Sequence, residues 1–102
     1  MSLLVERWTA ADAPDPHLLR ARLESEGYRV FEWSDAAGTH YAAHAHEEDQ
    51  SHWIISGALE LTVGVEKYTL RSGDRDFLPA RTIHSAFVPG AEPVRYLIGA
   101  KC

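Results

Sequence analysis

The chain has 102 residues, 45% of them apolar and 25% charged, with a formal net charge of −5, which allows one domain around one core. The acidic balance and the lack of any Lys/Arg cluster exclude a nucleic-acid reader, and a single cysteine, Cys102, excludes both an intrachain disulfide framework and a cysteine-based zinc finger. The opening MSLLVERW is no basic-then-apolar leader and no apolar run approaches bilayer length, so a cytoplasmic protein with no membrane partner is expected.

Residues 1–27 read as a strand and helix appendage, and 28–102 as a single β domain. In DAPDPHLLRARLESEGY, Asp15 suits an N-cap and Pro16 the first turn. Leu18, Leu19 and Leu23 then form one apolar stripe, and Gly27 suits a left-handed C-terminal position. One short helix from about Pro16 to Glu26 is predicted. The preceding LLVERWT is a candidate strand to lie across a partner's sheet.

From Tyr28 the apolar period changes to two. YRVFEW, THYAAHAH, SHWIIS, ALELTVG, EKYTL, DFLPA, HSAFV and VRYLIG are short runs separated by Gly, Pro, Asp or Ser. In ALELTV, Leu59, Leu61 and Val63 alternate with polar or small residues, as a half-buried strand requires. Eight such runs at close spacing predict an all-β fold, a small antiparallel barrel or sandwich.

Chemistry concentrates in HAHEEDQSHWIISG, residues 44–57. Side chains two apart on a strand share a face, so His44 and His46 point the same way, about 7 Å apart by strand rise. By the same parity Gln50, His52 and Ile54 share a face, while Trp53 points oppositely, against another sheet or subunit. Buried imidazoles need something to accept their lone pairs. Neutral imidazole is the commonest metal ligand, and three histidines with one oxygen donor make a first shell for a divalent transition metal. His52 is either a proton shuttle or substrate contact, or a core histidine. His40 falls at a rim, and His17 on the solvated face of the helix. Asp76 and Arg81 are close enough in sequence to pair, and Arg81, three residues before His84, could instead meet a substrate carboxylate. Trp8 and Trp33 read as packing or interface residues.

These motifs resemble the cupins. The first cupin motif, G-x5-H-x-H-x3,4-E-x6-G, is matched by Gly38, His44, His46, Gln50 and Gly57. The second, G-x5-P-x-G-x2-H-x3-N, is matched by Gly73, Pro79 and His84. The resemblance spans about residues 38–88 and implies a small jelly-roll barrel, a homodimer, and one divalent metal (Fe, Mn, Ni, Zn or Cu) on His44, His46, Gln50 and His84. Three positions depart: Gln50 stands for glutamate, Arg81 for the second glycine, and Val88 for asparagine. Glutamine supplies a neutral carbonyl oxygen, so the ion would keep its full charge and favour an anionic, chelating substrate. Six-coordination would leave two adjacent positions open.

Two functions follow from the resemblance. One is a metalloenzyme of dioxygenase, isomerase or lyase type acting on a small oxygen-rich or aromatic molecule. His52 would then move a proton, and Arg81, Ile54, Phe77, Phe87 and Tyr96 would line the substrate pocket. The other is a non-catalytic small-molecule binding or sensing module.

Overall fold

The computed structural model describes residues 3–102; Met1 and Ser2 lie outside them. Among these residues nine strands and one helix run in the order β1 (Leu4–Glu6), α1 (Pro16–Ser25), β2 (Arg29–Asp35), β3 (His40–His44), β4 (Asp49–Ser56), β5 (Ala58–Val63), β6 (Glu66–Arg71), β7 (Arg75–Phe77), β8 (His84–Phe87) and β9 (Val94–Lys101). They form two antiparallel sheets that face each other without closing. One has five strands, in the order β1-β7-β4-β9-β2, and the other four, β3-β8-β5-β6. That is the jelly-roll arrangement the sequence predicts.

The helix follows its end signals. The Asp15 carboxylate accepts from the His17 backbone N–H at 2.9 Å, and Pro16 occupies the first turn, where its missing N–H costs nothing. Gly27 closes it at φ +95°. The buried stripe is narrower than expected: Leu19 and Leu23 are buried, but Leu18 is 69% exposed. Residues four apart stack on one face, whereas five apart diverge by about 140°.

Two cores result, one on each side of the five-stranded sheet. Between the sheets lie Ile54, Leu59, Leu61, Leu70, Leu78, Val88, Val94 and Tyr96. On the outer face α1 lays Leu19 and Leu23 against Trp53, Ile55 and Leu97. Strand β4 is therefore buried on both faces, and Trp53 packs beneath the chain's own helix. The segment predicted to cross a partner's sheet instead adds β1 to this chain's own, pairing Leu4, Val5 and Glu6 with Phe77, Asp76 and Arg75.

The outer face also holds a partly buried ion pair. Arg75 is 1% exposed, with its guanidinium 4.4 Å from the Trp53 ring and 4.2 Å from the Phe77 ring. It donates to both Glu26 oxygens, at 2.9 and 3.2 Å, and to the Ser51 hydroxyl. Glu26 caps the C-terminus of α1, so this cluster fastens the helix to the sheet. The Arg75 hydrogen bond, opposed by burial and aided by its charge, holds the Glu26 carboxyl below its ordinary value.

Candidate metal centre and cavity

Three histidines from two chain segments meet at one end of the space between the sheets. His44 ends β3 and pairs directly with His84 at the start of β8, where the register shifts. His46 lies just past β3. The ligating nitrogens of the three lie within 4.8 Å of one another, and their ring centroids are 4.4–5.3 Å apart.

Backbone carbonyls settle which nitrogens face inward. His44 Nδ1 lies 2.6 Å from the Ala42 carbonyl, and His84 Nδ1 lies 2.8 Å from the Thr82 carbonyl. A carbonyl oxygen only accepts, so each Nδ1 carries the proton and each Nε2 keeps its lone pair. His44 Nε2 points at His46 Nε2, 3.1 Å away. Burial first, then neighbouring imidazoles, push His46 and His84 below the ordinary histidine value. For His84 the Thr82 hydrogen bond opposes this without reversing it. Three imidazoles converging on one point, two of them oriented from behind by carbonyls, are a donor set that a divalent metal can use.

Gln50 lines the same cavity as the three histidines. A two-way backbone bridge to Leu78 pins it, at 2.8 Å each way, and among the described residues its side-chain amide has no hydrogen-bond partner. His44, His46, His84 and Gln50 would hold the ion, which would supply Lewis acidity to a bound oxygen.

The cavity measures about 190 Å³ and is walled by Leu59, Leu61, Tyr41, Tyr96, Trp33 and Ile98 besides the polar set. His52, 8% exposed, is part of its lining. Its Nδ1 lies 2.8 Å from Oδ2 of the fully buried Asp76, whose other oxygen accepts the His52 backbone N–H. Burial alone would depress this imidazole, but the charge and hydrogen bond of Asp76 outweigh it and raise the His52 value. The Asp76–Arg81 pairing considered from sequence is thus corrected. Asp76 belongs to His52, whereas Arg81, its side chain 80% exposed, pairs with Glu47 at 3.2 Å.

Arg81 has another role in the backbone. It is the non-glycine residue with positive φ among those described, at +66°, and it stands where the cupin motif has glycine. Its N–H donates to the His46 carbonyl at 2.7 Å, which ties the β7–β8 connection to the histidine loop. Gly57 keeps its motif residue for a visible reason, since a Cβ there would lie 2.3 Å from the Pro93 carbonyl oxygen.

Of the residues expected in the substrate pocket, Tyr96 lines the cavity. Ile54 is fully buried in the core between the sheets, too deep to be reached. Phe77 turns to the outer face and stacks on Arg75, because β7 is paired in the opposite parity. Phe87 is 37% exposed on the outside of the four-stranded sheet, one residue out of phase with Ala86, which does line the cavity. Sequence parity missed Trp33, Tyr41 and Asp35. The Asp35 carboxylate accepts from Tyr41 Oη at 2.7 Å, Tyr96 Oη at 2.9 Å and Trp33 Nε1 at 3.2 Å. The signal was there in FEWSD, which puts Trp33 and Asp35 on one face, but nothing in the sequence shows which strand that face meets.

The fold and site define a small double-sheet jelly roll carrying a histidine cluster that could hold a metal ion. The Cupin domain family (Cupin_2) matches residues 31–98, and the chain belongs to it. Mannose-1-phosphate guanylyltransferase of Salmonella muenchen is 30% identical over 73 residues, which are 71% of this chain and 15% of that protein; the chain thus spans a small part of that relative. Among solved structures, the DMSP lyase DddQ from Ruegeria pomeroyi superposes with a TM-score of 0.67 at 22% identity, over 74% of this chain and 38% of the lyase. A Cupin 2 conserved barrel domain protein from Salinispora arenicola gives 0.67 at 19% identity, over 98% of this chain and 76% of the other. These likenesses establish the fold. Among the described residues no helix is long and apolar enough to cross a membrane.

Proposed function

We propose that this chain is a metal-dependent cupin enzyme of isomerase or lyase type, acting on a small oxygen-rich molecule that chelates a divalent ion on His44, His46, His84 and Gln50. The observation that carries the reading is the convergence of three imidazoles, two of them oriented by backbone carbonyls. Anchoring of that kind fixes a metal ligand's tautomer and ring direction, and the meeting of three such rings at one point is what sets them apart from packing histidines.

His52 favours proton transfer over oxygen chemistry. A fully buried carboxylate holds its Nδ1, which leaves Nε2 as the ring atom available to the cavity. The same carboxylate raises its basicity, so His52 can take a proton from a carbon or oxygen acidified by chelation and return it elsewhere. Leu59, Leu61 and Ile98 give the cavity an apolar wall beside that transfer. Asp76 acts through His52 and is a positioning residue. The homodimer belongs to the same proposal, since β2 and β6 are sheet edges in the single chain; light scattering in solution checks it.

The test is metal analysis of the purified protein, then a solvent-exchange assay. Small α-hydroxy and β-keto acids in deuterated water are expected to gain deuterium at the acidified carbon only with metal-loaded protein, and His52→Gln should stop exchange while retaining metal. Oxygen uptake with no exchange would favour the dioxygenase type, and ligand binding with neither would favour a sensing module.

A further inference from the structure

The part of the cavity level with Ile54, four residues along β4 from Gln50, has its own chemistry. Trp33, Tyr41 and Tyr96 line it, and all three donate to Asp35. Tyr41 comes from the four-stranded sheet and Tyr96 from the five-stranded one, so Asp35 ties the two sheets at this end. Among the described residues no Lys, Arg or His pairs with Asp35, although every other ion pair of β2 is satisfied: Arg29 with Glu48, and Glu32 with Arg95. The Asp35 hydrogen bond leads, with burial behind it, in raising the Tyr41 value; burial leads for Tyr96 with Asp35 next. Both phenols therefore stay protonated and committed to the carboxylate.

Such a network does more than hold two sheets together. A phenol donating to an anion pushes electron density into its ring, and aromatic faces already attract cations. Three such faces backed by one negative charge without a cationic partner form a seat for a positive group. At the other end the ligand set is electrically neutral, because glutamine stands where the motif has glutamate, so a bound divalent ion keeps its whole charge. With an ion bound, one small cavity would be positive at one end and negative at the other.

We propose that the cavity takes a zwitterion: a small carboxylate whose oxygens face the histidine end and whose ammonium group packs on Trp33, Tyr41 and Tyr96, with Asp35 as its counter-charge. This rests on the metal reading for the carboxylate end only. A carboxylate that served purely as a tie between the sheets would give no preference for charge in the ligand.

The experiment uses two probes of the same shape that differ in one atom. Glycine betaine carries a trimethylammonium group, and 3,3-dimethylbutanoate carries a tert-butyl group in its place. Calorimetric titration of zinc-loaded protein should show betaine binding about tenfold tighter. In D35N, which keeps an accepting oxygen but loses the charge, the two should come within about twofold. W33L, at a position 51% exposed, should also lose several-fold of the preference, so the result stands even if D35N unfolds. Equal binding, tighter binding of the neutral probe, no binding of either, or a preference undiminished in both variants would overturn the proposal. Repeating the titration on chelator-stripped protein separates the two readings. A charge preference that survives while zinc neither binds nor adds affinity strikes the metal reading alone.

Discussion

The two faces of strand β4 bury polar groups in opposite ways. On the outer face, Ser51 sits beside Arg75, whose guanidinium is stacked between two rings and bound to Glu26 and Ser51. Every polar group there has its partner inside the protein, and the result is a fastening for α1. On the inner face, Gln50 and His52 join His44, His46 and His84 around a cavity. There the anchoring bonds of His44, His84 and His52 go to Nδ1 at the rear of each ring, which leaves Nε2 turned toward the cavity. Burial alone does not mark a functional group. What marks it is bonding capacity left over, all turned toward one point.

That contrast breaks most visibly at the histidines. His84→Ala should lower metal affinity by about a hundredfold or more yet leave the helix docked, since it touches nothing on the outer face; competition with a chromophoric chelator measures it. Glu26→Gln should do the reverse. It strands the buried Arg75 charge and should cost about 2–3 kcal/mol of unfolding free energy, with metal affinity unchanged; urea unfolding with and without metal checks both.

The same pair sets an acid limit. Because the folded Glu26 carboxyl sits below its ordinary value, its contribution is complete above the unfolded value of about 4.3 and disappears as pH falls through the folded one. Asp74 behaves alike: burial opposes, but backbone hydrogen bonds from Arg71 and Trp8 and the Arg7 ion pair prevail and lower it. Unfolding curves between about pH 5 and pH 2 should therefore be less steep in pH for Glu26→Gln than for the parent chain.

A smaller effect sharpens the electrostatics of the inner face. Gln50→Glu should tighten metal binding by about tenfold, since a carboxylate adds charge to a neutral shell, and should weaken binding of anionic chelators. The smallest effect concerns Arg81. A non-glycine residue at φ +66° carries about 1–2 kcal/mol of left-handed strain, part of which glycine returns through greater freedom when unfolded. Arg81→Gly should raise stability by about 0.5–1 kcal/mol, seen as a modest rise in Tm.

Much of this was legible in the sequence because motif and strand parity act locally. The helix ends, the alternation of β4 and the convergence of His44, His46 and His84 follow from spacing alone or from the two matched motifs. Parity does not say what lies opposite. Phe77 and Phe87 looked like pocket residues, yet pairing turned each outward, and Ile54 faces inward but lies too deep. Asp76 was read beside Arg81 because they are near in sequence; the β4–β7 neighbourhood gave it to His52 instead. Asp35 and its three aromatic donors come from β2, β3 and β9, a meeting that depends on how the two sheets face each other and leaves no local pattern.

The central claim is that His44, His46 and His84 hold one ion together. A crystal soaked in manganese or zinc, with data at the metal's absorption edge, tests it most directly. A single anomalous peak about 2.0–2.2 Å from the Nε2 atoms of all three rings, with a Gln50 oxygen beside it, is the expected result. A cavity with no peak, or a peak bound only to surface carboxylates while the three rings turn apart, would contradict it.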